Sequence, residues 1–420
     1  MSILTKEQSV AYDAIMKWAK GGMESGWIFT LAGFAGTGKT YLLQHIIQSL
    51  DKKPVCCAPT GKAASVLQGK LEGIQVTTIH RILYSPRHNS TTYIEQLIAG
   101  ERSAIDSEDE QLANRYRDEI TEEKKKLAEK KVTFDLKAES NRDAKEGVLV
   151  IVDEASMVDP EVKDDLEATG AKILFVGDGG QLDPVMGKSW FSKRIHDATL
   201  EEIQRQALDS PIIRLSMAIR EGSVKKSDYA DSECDAQIVD RVDFDPEEWV
   251  KANQVITGKN SSRHRLNRWL RKGLGYFEEE GDELPKAGEK LICLKNDYAA
   301  DPPRVNGMQF LALEDGFVDD EGVHRLSIDY EGHLVAGAEF YDYHCRVHYD
   351  KTIPEEPREF RRGMMELDFG HCITAHKSQG SEWEYVIVAD DKMMAKDRKF
   401  RQKWLYTAVT RAQKKVTIVQ

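Results

Sequence analysis

Cysteine is scarce and badly placed for cross-linking. The 420-residue chain has six, at positions 56, 57, 234, 293, 345 and 372, with no Cys-x-x-Cys pair. That excludes a disulfide-stapled scaffold and reads as reduced thiols in an intracellular protein. The one grouping with metal-binding character, His344, Cys345 and His348, lacks a fourth ligand at a workable spacing. No apolar run approaches the roughly 20 residues of a membrane-spanning helix, and Met1 to Glu7 lack the basic-then-apolar layout of a signal peptide. No internal repeat and no low-complexity linker appear. Cations are in deficit: 59 Lys+Arg stand against 71 Asp+Glu, a formal net charge of −12. This excludes a protein that coats nucleic acid by bulk charge, and leaves one that confines its basic groups to a channel.

What is present describes a folded protein of more than one domain. The length exceeds the ~250–300 residues at which single cores stop growing. A hydrophobic fraction of 40% with 31% charged residues fits globular domains carrying a solvated, charge-rich element. Residues 5–20 predict an amphipathic helix, with Ala11, Ala14, Ile15 and Trp18 on one face and a capping box from Thr5 and Gln8. From Trp27 onward, apolar strands (Ile28 to Ala32, Pro54 to Ala58, Val148–Val152, Ile173–Val176) alternate with helices, one announced by Asp159 at its cap and Pro160 at its first position. Such alternation specifies an α/β fold with a parallel sheet covered on both faces.

Between His80 and Gly147 the alternation stops. Residues 86–146 read as an insertion, and fifteen acidic residues lie between Glu95 and Glu146, mixed with lysines and arginines. A solvated helical arm is the economical reading. A helix-rich region then starts near His196 and leads to a strand at Gln254–Thr257 and a basic stretch holding Arg263, Arg265, Arg268, Arg271 and Lys272. Residues 288–363 are β-rich, with a turn signal at Asn306-Gly307, and suggest a small inserted barrel. Strand, helix and strand close the chain at Tyr385–Ala389, 399–409 and Val416–Val419.

The most specific chemistry is Gly33-Phe34-Ala35-Gly36-Thr37-Gly38-Lys39-Thr40, a complete G-x-x-x-x-G-K-[ST] placed after a strand and opening a helix. Gly33, Gly36 and Gly38 let backbone N–H groups curl around phosphates, Lys39 reaches the β and γ oxygens, and the Thr40 hydroxyl ligates Mg²⁺. The strand Val148–Val152 ends in Asp153-Glu154, one carboxylate to hold Mg²⁺ and the next to polarise water. Nucleoside triphosphate hydrolysis follows from these two boxes together.

Six boxes, the acid pair among them, occur in a telling order: Ala58-Pro59-Thr60-Gly61-Lys62-Ala63-Ala64, Thr78-Ile79-His80, Asp153-Glu154-Ala155-Ser156-Met157, Gly177-Asp178-Gly179-Gly180-Gln181-Leu182-Asp183-Pro184, Thr374-Ala375-His376-Lys377-Ser378-Gln379-Gly380, and Tyr406-Thr407-Ala408-Val409-Thr410-Arg411-Ala412. In these the chain resembles superfamily 1 DNA helicases, most of all the RecD-like and phage Dda-type branch. The likeness runs from about Thr5 to Val419 and thins in 86–146 and 300–360.

The resemblance implies two RecA-like P-loop domains, 1–195 and 196–420, with ATP and Mg²⁺ between them. The charged insertion falls where relatives carry a strand-separating pin, for which Tyr93 and Ile94 are the apolar candidates, and the β-rich segment falls where they carry a small barrel. Gln8 matches the adenine-reading glutamine and also fits the capping box, two roles that one residue can hold together. Gln181 matches the γ-phosphate sensor and Arg411 the arginine finger. Arg205 is the candidate for a second cleft arginine, with Arg214 and Arg220 as competitors, and Glu382 for the ribose contact. Pro59, Thr60, Lys62, Thr78, His80, Thr374, His376 and Lys377 are the implied contacts to the backbone of single-stranded DNA, small polar groups that position phosphates without reading sequence. Asp183 departs from the family, which has proline there; a carboxylate at that place should face away from DNA or pair with a cation. The implied protein is a monomeric ATP-driven motor that tracks along single-stranded DNA, 5′ to 3′, and unwinds duplex. A translocase that strips proteins without unwinding and a catalytically dead scaffold are the alternatives.

Overall fold

A computed structural model describes residues 4–21, 26–71, 73–86, 97–101, 104, 109–129, 134–137, 144–183, 190–203, 209–231, 234–276, 284–294, 306–320, 324–330, 333–342, 365–392 and 397–420. Two parallel sheets dominate it. The first has six strands in the order Val76–Thr78, Val55–Ala58, Leu149–Val152, Lys172–Gly177, Ile28–Gly33, Ala198–Leu200, every neighbouring pair parallel. The central strands read as continuous apolar runs because helices cover both faces. On one face helices Lys6–Lys20 and Lys39–Gln48 bury Ile15, Leu42 and Ile46 against Leu31 and Leu174. On the other, Ile79, Ile82 and Leu166 pack on Val150, Val152 and Phe175.

The second sheet has five strands, Cys372–Thr374, Gln254–Thr257, Trp383–Ala389, Ala412–Val419 and Ala236–Val239 in spatial order, again all parallel. Helices Pro211–Glu221 and Arg398–Val409 supply one of its cores; helices Pro246–Lys251 and Asn260–Gly273 supply the opposite one. Between Gln254–Thr257 and Cys372–Thr374 in the chain lies a third sheet. Its strands Gln309–Ala312, Lys290–Cys293, Met365–Phe369, His333–Asp342 and His324–Tyr330 pair in that order, and His324–Tyr330 pairs back to Gln309–Ala312, so the five close a ring. Leu291, Phe310, Leu326 and Phe369 fill it.

The first sheet runs beyond the boundary expected after residue 195. Ala198–Leu200 pairs with Leu31, Ala32 and Gly33, and the N–H groups of Glu201 and Glu202 donate to Glu7 on the first helix. A three-residue edge strand is too short to leave an alternating pattern, which is why the sequence hides it. Helix Glu110–Glu129 lies within the charged insertion. Tyr93, Ile94, His344, Cys345, His348 and Arg205 fall outside the described residues. Among the described residues the cysteines are free, no three His, Cys, Asp or Glu side chains group as a metal site, and no helix is long and apolar enough to cross a membrane.

Candidate nucleotide site and nucleic-acid track

Both sheets send functional residues into one cavity of about 1280 Å³. The first lobe contributes the loop between Ile28–Gly33 and helix Lys39–Gln48. Gly36 and Gly38 adopt φ of +80° and +78°, left-handed values that let the loop reverse and aim its amides at one point. The Lys39 ammonium is folded back, donating to the carbonyls of Gly33 at 2.7 Å and Phe34 at 3.0 Å. These carbonyls hold it in reach of the cavity without neutralising it. Thr40 and Lys39 both line the cavity.

Asp153 and Glu154 follow the buried strand Leu149–Val152 and face the same space. Glu154 takes a left-handed conformation, φ 51° and ψ 41°, a strained geometry for a residue with a side chain that turns its carboxylate away from the strand direction. Burial in the cleft raises the Glu154 carboxyl above the usual range, Asp153 adds to it, and Arg411 and Lys39 oppose it. Asp153 is raised by burial too, against a backbone N–H of Glu154 and the charges of Lys39 and Lys70. A hydroxyl and a carboxylate form an oxygen-only donor set suited to a hard divalent cation, and such a charge would reverse the rise at Asp153. The residues present therefore fit Mg²⁺. Gln181 is 5% exposed, lines the cavity, and its Oε1 is buried with no hydrogen-bond partner among the described residues. That acceptor is free for a group brought in by substrate.

Arg411 comes from the second lobe, just past helix Arg398–Val409. Its guanidinium donates to the carbonyls of Thr407 (3.0 Å) and Ser381 (3.4 Å) and to Thr410 Oγ1 (3.1 Å), so no carboxylate cancels its charge among these contacts. Arg220, weighed only as a competitor to Arg205, stacks its guanidinium 3.6 Å from the Phe34 ring centroid on the phosphate loop. Arg214 instead donates to the Asp209 carbonyl.

Two candidate nucleotide contacts are already engaged. Gln8 is 1% exposed; its Oε1 accepts the Thr5 N–H at 3.1 Å and its Nε2 donates to the Thr37 carbonyl at 3.0 Å. Its amide completes the helix cap and braces the phosphate loop. Glu382 lines the cavity but pairs with Lys70 at 3.0 Å and Gln413 at 3.0 Å. Burial works against its ionisation, yet these partners and Arg411 hold its carboxyl below the usual range. The Lys70–Glu382 pair crosses from one lobe to the other.

The nucleic-acid candidates sit at or just past the C-terminal ends of strands in both sheets. Pro59 and Thr60 follow Val55–Ala58, Thr78 ends Val76–Thr78, and Thr374 ends Cys372–Thr374. Thr60 Oγ1 caps helix Gly61–Lys70 by accepting the Ala63 N–H, and Thr78 Oγ1 caps Ile79–Leu83 through Arg81. Thr374 stands at the same cap position of Ala375–Ser378 without a side-chain cap bond. Lys62, His80, His376 and Lys377 are half-buried. Burial lowers both histidines below their ordinary value, opposed at His80 by Asp159, which makes them neutral hydrogen-bonding groups at pH 7. Lys377 is pushed down to about 8, by burial first and then by Arg263, with Asp368 opposing. Asp183 has found its cation: Lys403 Nζ lies 3.1 Å from its Oδ1.

A phosphate-binding loop, an acid pair and a partnerless glutamine amide on one parallel-sheet lobe, met by an arginine from a second, define the class as a P-loop nucleoside triphosphatase site shared by two lobes. Residues 4–237, more than half the chain, match the family model described as an AAA domain, and residues 369–419 match that of a UvrD-like helicase C-terminal domain. The chain belongs to this AAA-domain family. It is similar to the ATP-dependent RecD2 DNA helicase of Deinococcus radiodurans, 26% identical over 414 residues, covering 92% of this chain and 46% of that one. It is also similar to the ATP-dependent DNA helicase dda of Enterobacteria phage T4, 30% identical over 234 residues, with coverage of 52% and 43%. The chain thus spans less than half the length of these two curated relatives. In fold it resembles a structure of two coordinating Pif1 helicases at forked duplex DNA, with a TM-score of 0.52, 18% identity, and coverage of all of this chain and 92% of that one.

Proposed function

We propose that this chain is an ATP-dependent DNA helicase that moves 5′ to 3′ along single-stranded DNA and separates the duplex ahead of it. The observation that carries the reading is the convergence of Lys39, Thr40, Asp153, Glu154, Gln181 and Arg411 on one cavity bounded by two lobes. ATP enters with its phosphates on the loop amides, and Lys39 leaves the Gly33 and Phe34 carbonyls for the β and γ oxygens. Thr40 and Asp153 are the residues that would hold Mg²⁺, whose charge neutralises the phosphate oxygens when bound. Gln181 orients the attacking water and Glu154 takes its proton as the new P–O bond forms. Arg411 stabilises the charge that builds on the transferring phosphoryl group and the departing ADP.

The two motor lobes are 1–195, with the edge strand that extends its sheet, and the remainder to 420, and Arg205 serves as the second cleft cation. The ring of strands 290–369 is an insertion in the second lobe, and 86–146 is the pin. Single-stranded DNA crosses the strand ends at Pro59, Thr60, Thr78, His80, Thr374 and His376, with Lys62 and Lys377 as its cations. A forked duplex with one labelled strand tests the whole reading. A 5′ tail should support strand release and a 3′ tail should not, and deletion of 86–146 should abolish release while ATP turnover persists. Turnover without release from any fork would replace unwinding by protein-displacing translocation; undiminished release by the deletion variant would remove the pin.

Lys377 makes DNA affinity depend on pH with a definite sign. Its ammonium titrates near 8, and a phosphate favours the charged form, so the contact is complete below that pH and is lost above it. Affinity for single-stranded DNA should fall roughly three- to tenfold from pH 7 to pH 9, with proton uptake on binding. Fluorescence anisotropy at constant ionic strength reads this directly. A Lys377→Arg variant that kept the same pH dependence would assign it to another group.

A further inference from the structure

Tyr406 is one of the largest fully buried side chains, 1% exposed, and stands on helix Arg398–Val409, five residues before Arg411. A buried phenol needs partners for its hydroxyl, and this one finds both in the opposite lobe. The N–H of Ala35, in the phosphate loop, donates to Tyr406 Oη at 2.9 Å. Since an amide N–H can only donate, the single phenolic proton goes the other way, to Asp178 Oδ2 at 2.6 Å. Burial first, and then Asp178, raise the phenol well above its ordinary value, so it stays a donor at any working pH and is no proton acceptor for catalysis.

Asp178 begins the turn that carries Gln181 into the cavity. Its other oxygen, Oδ1, accepts the Gly180 N–H at 2.8 Å. Gly180 sits in a tight space: a Cβ would stand 3.1 Å from Asp178 Oδ1, 3.2 Å from the Tyr406 ring and 3.5 Å from Phe34. On its own helix the Tyr406 carbonyl accepts from the Thr410 hydroxyl at 2.9 Å, and Thr410 Oγ1 in turn accepts from Arg411 Nη2 at 3.1 Å. One residue therefore joins three parts of the site by continuous hydrogen bonds: the phosphate loop, the Gln181 turn and the arginine.

We infer that Tyr406 is the positioning residue that fixes Arg411 and Gln181 relative to the phosphate loop, so that the second lobe's arginine meets the transferring phosphoryl group only when Tyr406 bridges Ala35 and Asp178. The inference rests on the ATPase reading above and adds to it a residue that is not among those lining the cavity. A wrongly placed arginine leaves ground-state binding intact and costs transition-state stabilisation, so the defect falls on kcat.

Tyr406→Phe keeps the ring and removes both bonds. With saturating single-stranded DNA, its kcat for ATP should fall about tenfold or more while KM stays within twofold and Tm within a few degrees. Asp178→Asn tests the same link from the other end, and the double variant should be no worse than the more damaged single one, because both break one connection. If wild type turns over ATP and Tyr406→Phe matches it, the positioning role is overturned and the ATPase reading survives; multiplying defects in the double variant overturn the single link. Wild-type protein without DNA-stimulated turnover would overturn the reading on which the inference stands.

Discussion

Replacing Arg411 by alanine should lower DNA-stimulated ATP turnover about 1000-fold or more, in the range in which arginine fingers act on phosphoryl transfer. The geometry gives the reason. Arg411 is 5% exposed and held by two carbonyls and a hydroxyl, acceptors that orient the guanidinium and leave its charge for the cleft. Binding of ATP to the first lobe does not depend on it, so affinity for a non-hydrolysable analogue should change by only a few-fold. Arg411→Lys should recover little, because an ammonium cannot reproduce a planar fork bound at three points. Steady-state turnover beside analogue binding decides the matter. An alanine variant within threefold of wild type would move the finger role elsewhere, with Arg220 on Phe34 the first alternative.

Glu154→Gln should cost roughly 100- to 10,000-fold in turnover, the range for removing a positioned general base, while ATP and DNA binding persist. The amide occupies the same volume in the same left-handed position, so folding is spared. The pH dependence has a clear sign. Burial raises the carboxyl, and only its deprotonated form accepts the proton of water. Wild-type turnover should therefore decline as pH falls and Glu154 takes up a proton. The glutamine variant should lose this acid limb along with the rate. Persistence of the limb at a wild-type rate would transfer the base role to a neighbour such as Asp178.

What could be read from sequence is what is local. The phosphate loop and the acid pair are contiguous segments after strong apolar strands, and the structure brings Lys39, Thr40, Asp153 and Glu154 to one cavity. Cross-chain pairings were not legible. The partners of Tyr406, at Ala35 and Asp178, are 371 and 228 residues away, and no spacing rule connects such positions. Gln8 shows another limit: one residue satisfied two patterns, and the structure displays the capping one through its Thr5 contact while adding a Thr37 contact that no pattern announces. The edge strand Ala198–Leu200 and the ring closure at Gln309–Ala312 depend on pairing rather than periodicity. They emerge only when partner strands are in place.

Leu182 belongs by chain order to the turn after the first sheet, yet it is buried in the core of the second. Its N–H is held by Thr407 Oγ1 and its carbonyl by Gln379 Nε2. Pulling a leucine from such a core costs about 2 kcal/mol from lost apolar burial alone, before two hydrogen bonds are broken. The lobes are thus not two bodies touching at a face, since one has a peg seated in the other. Swinging about the peg is cheaper than sliding past it, which makes the Gln181–Leu182 turn the natural pivot. A pivot there lies next to Gln181 in the cavity, so a displacement at that residue passes directly into the core of the second lobe.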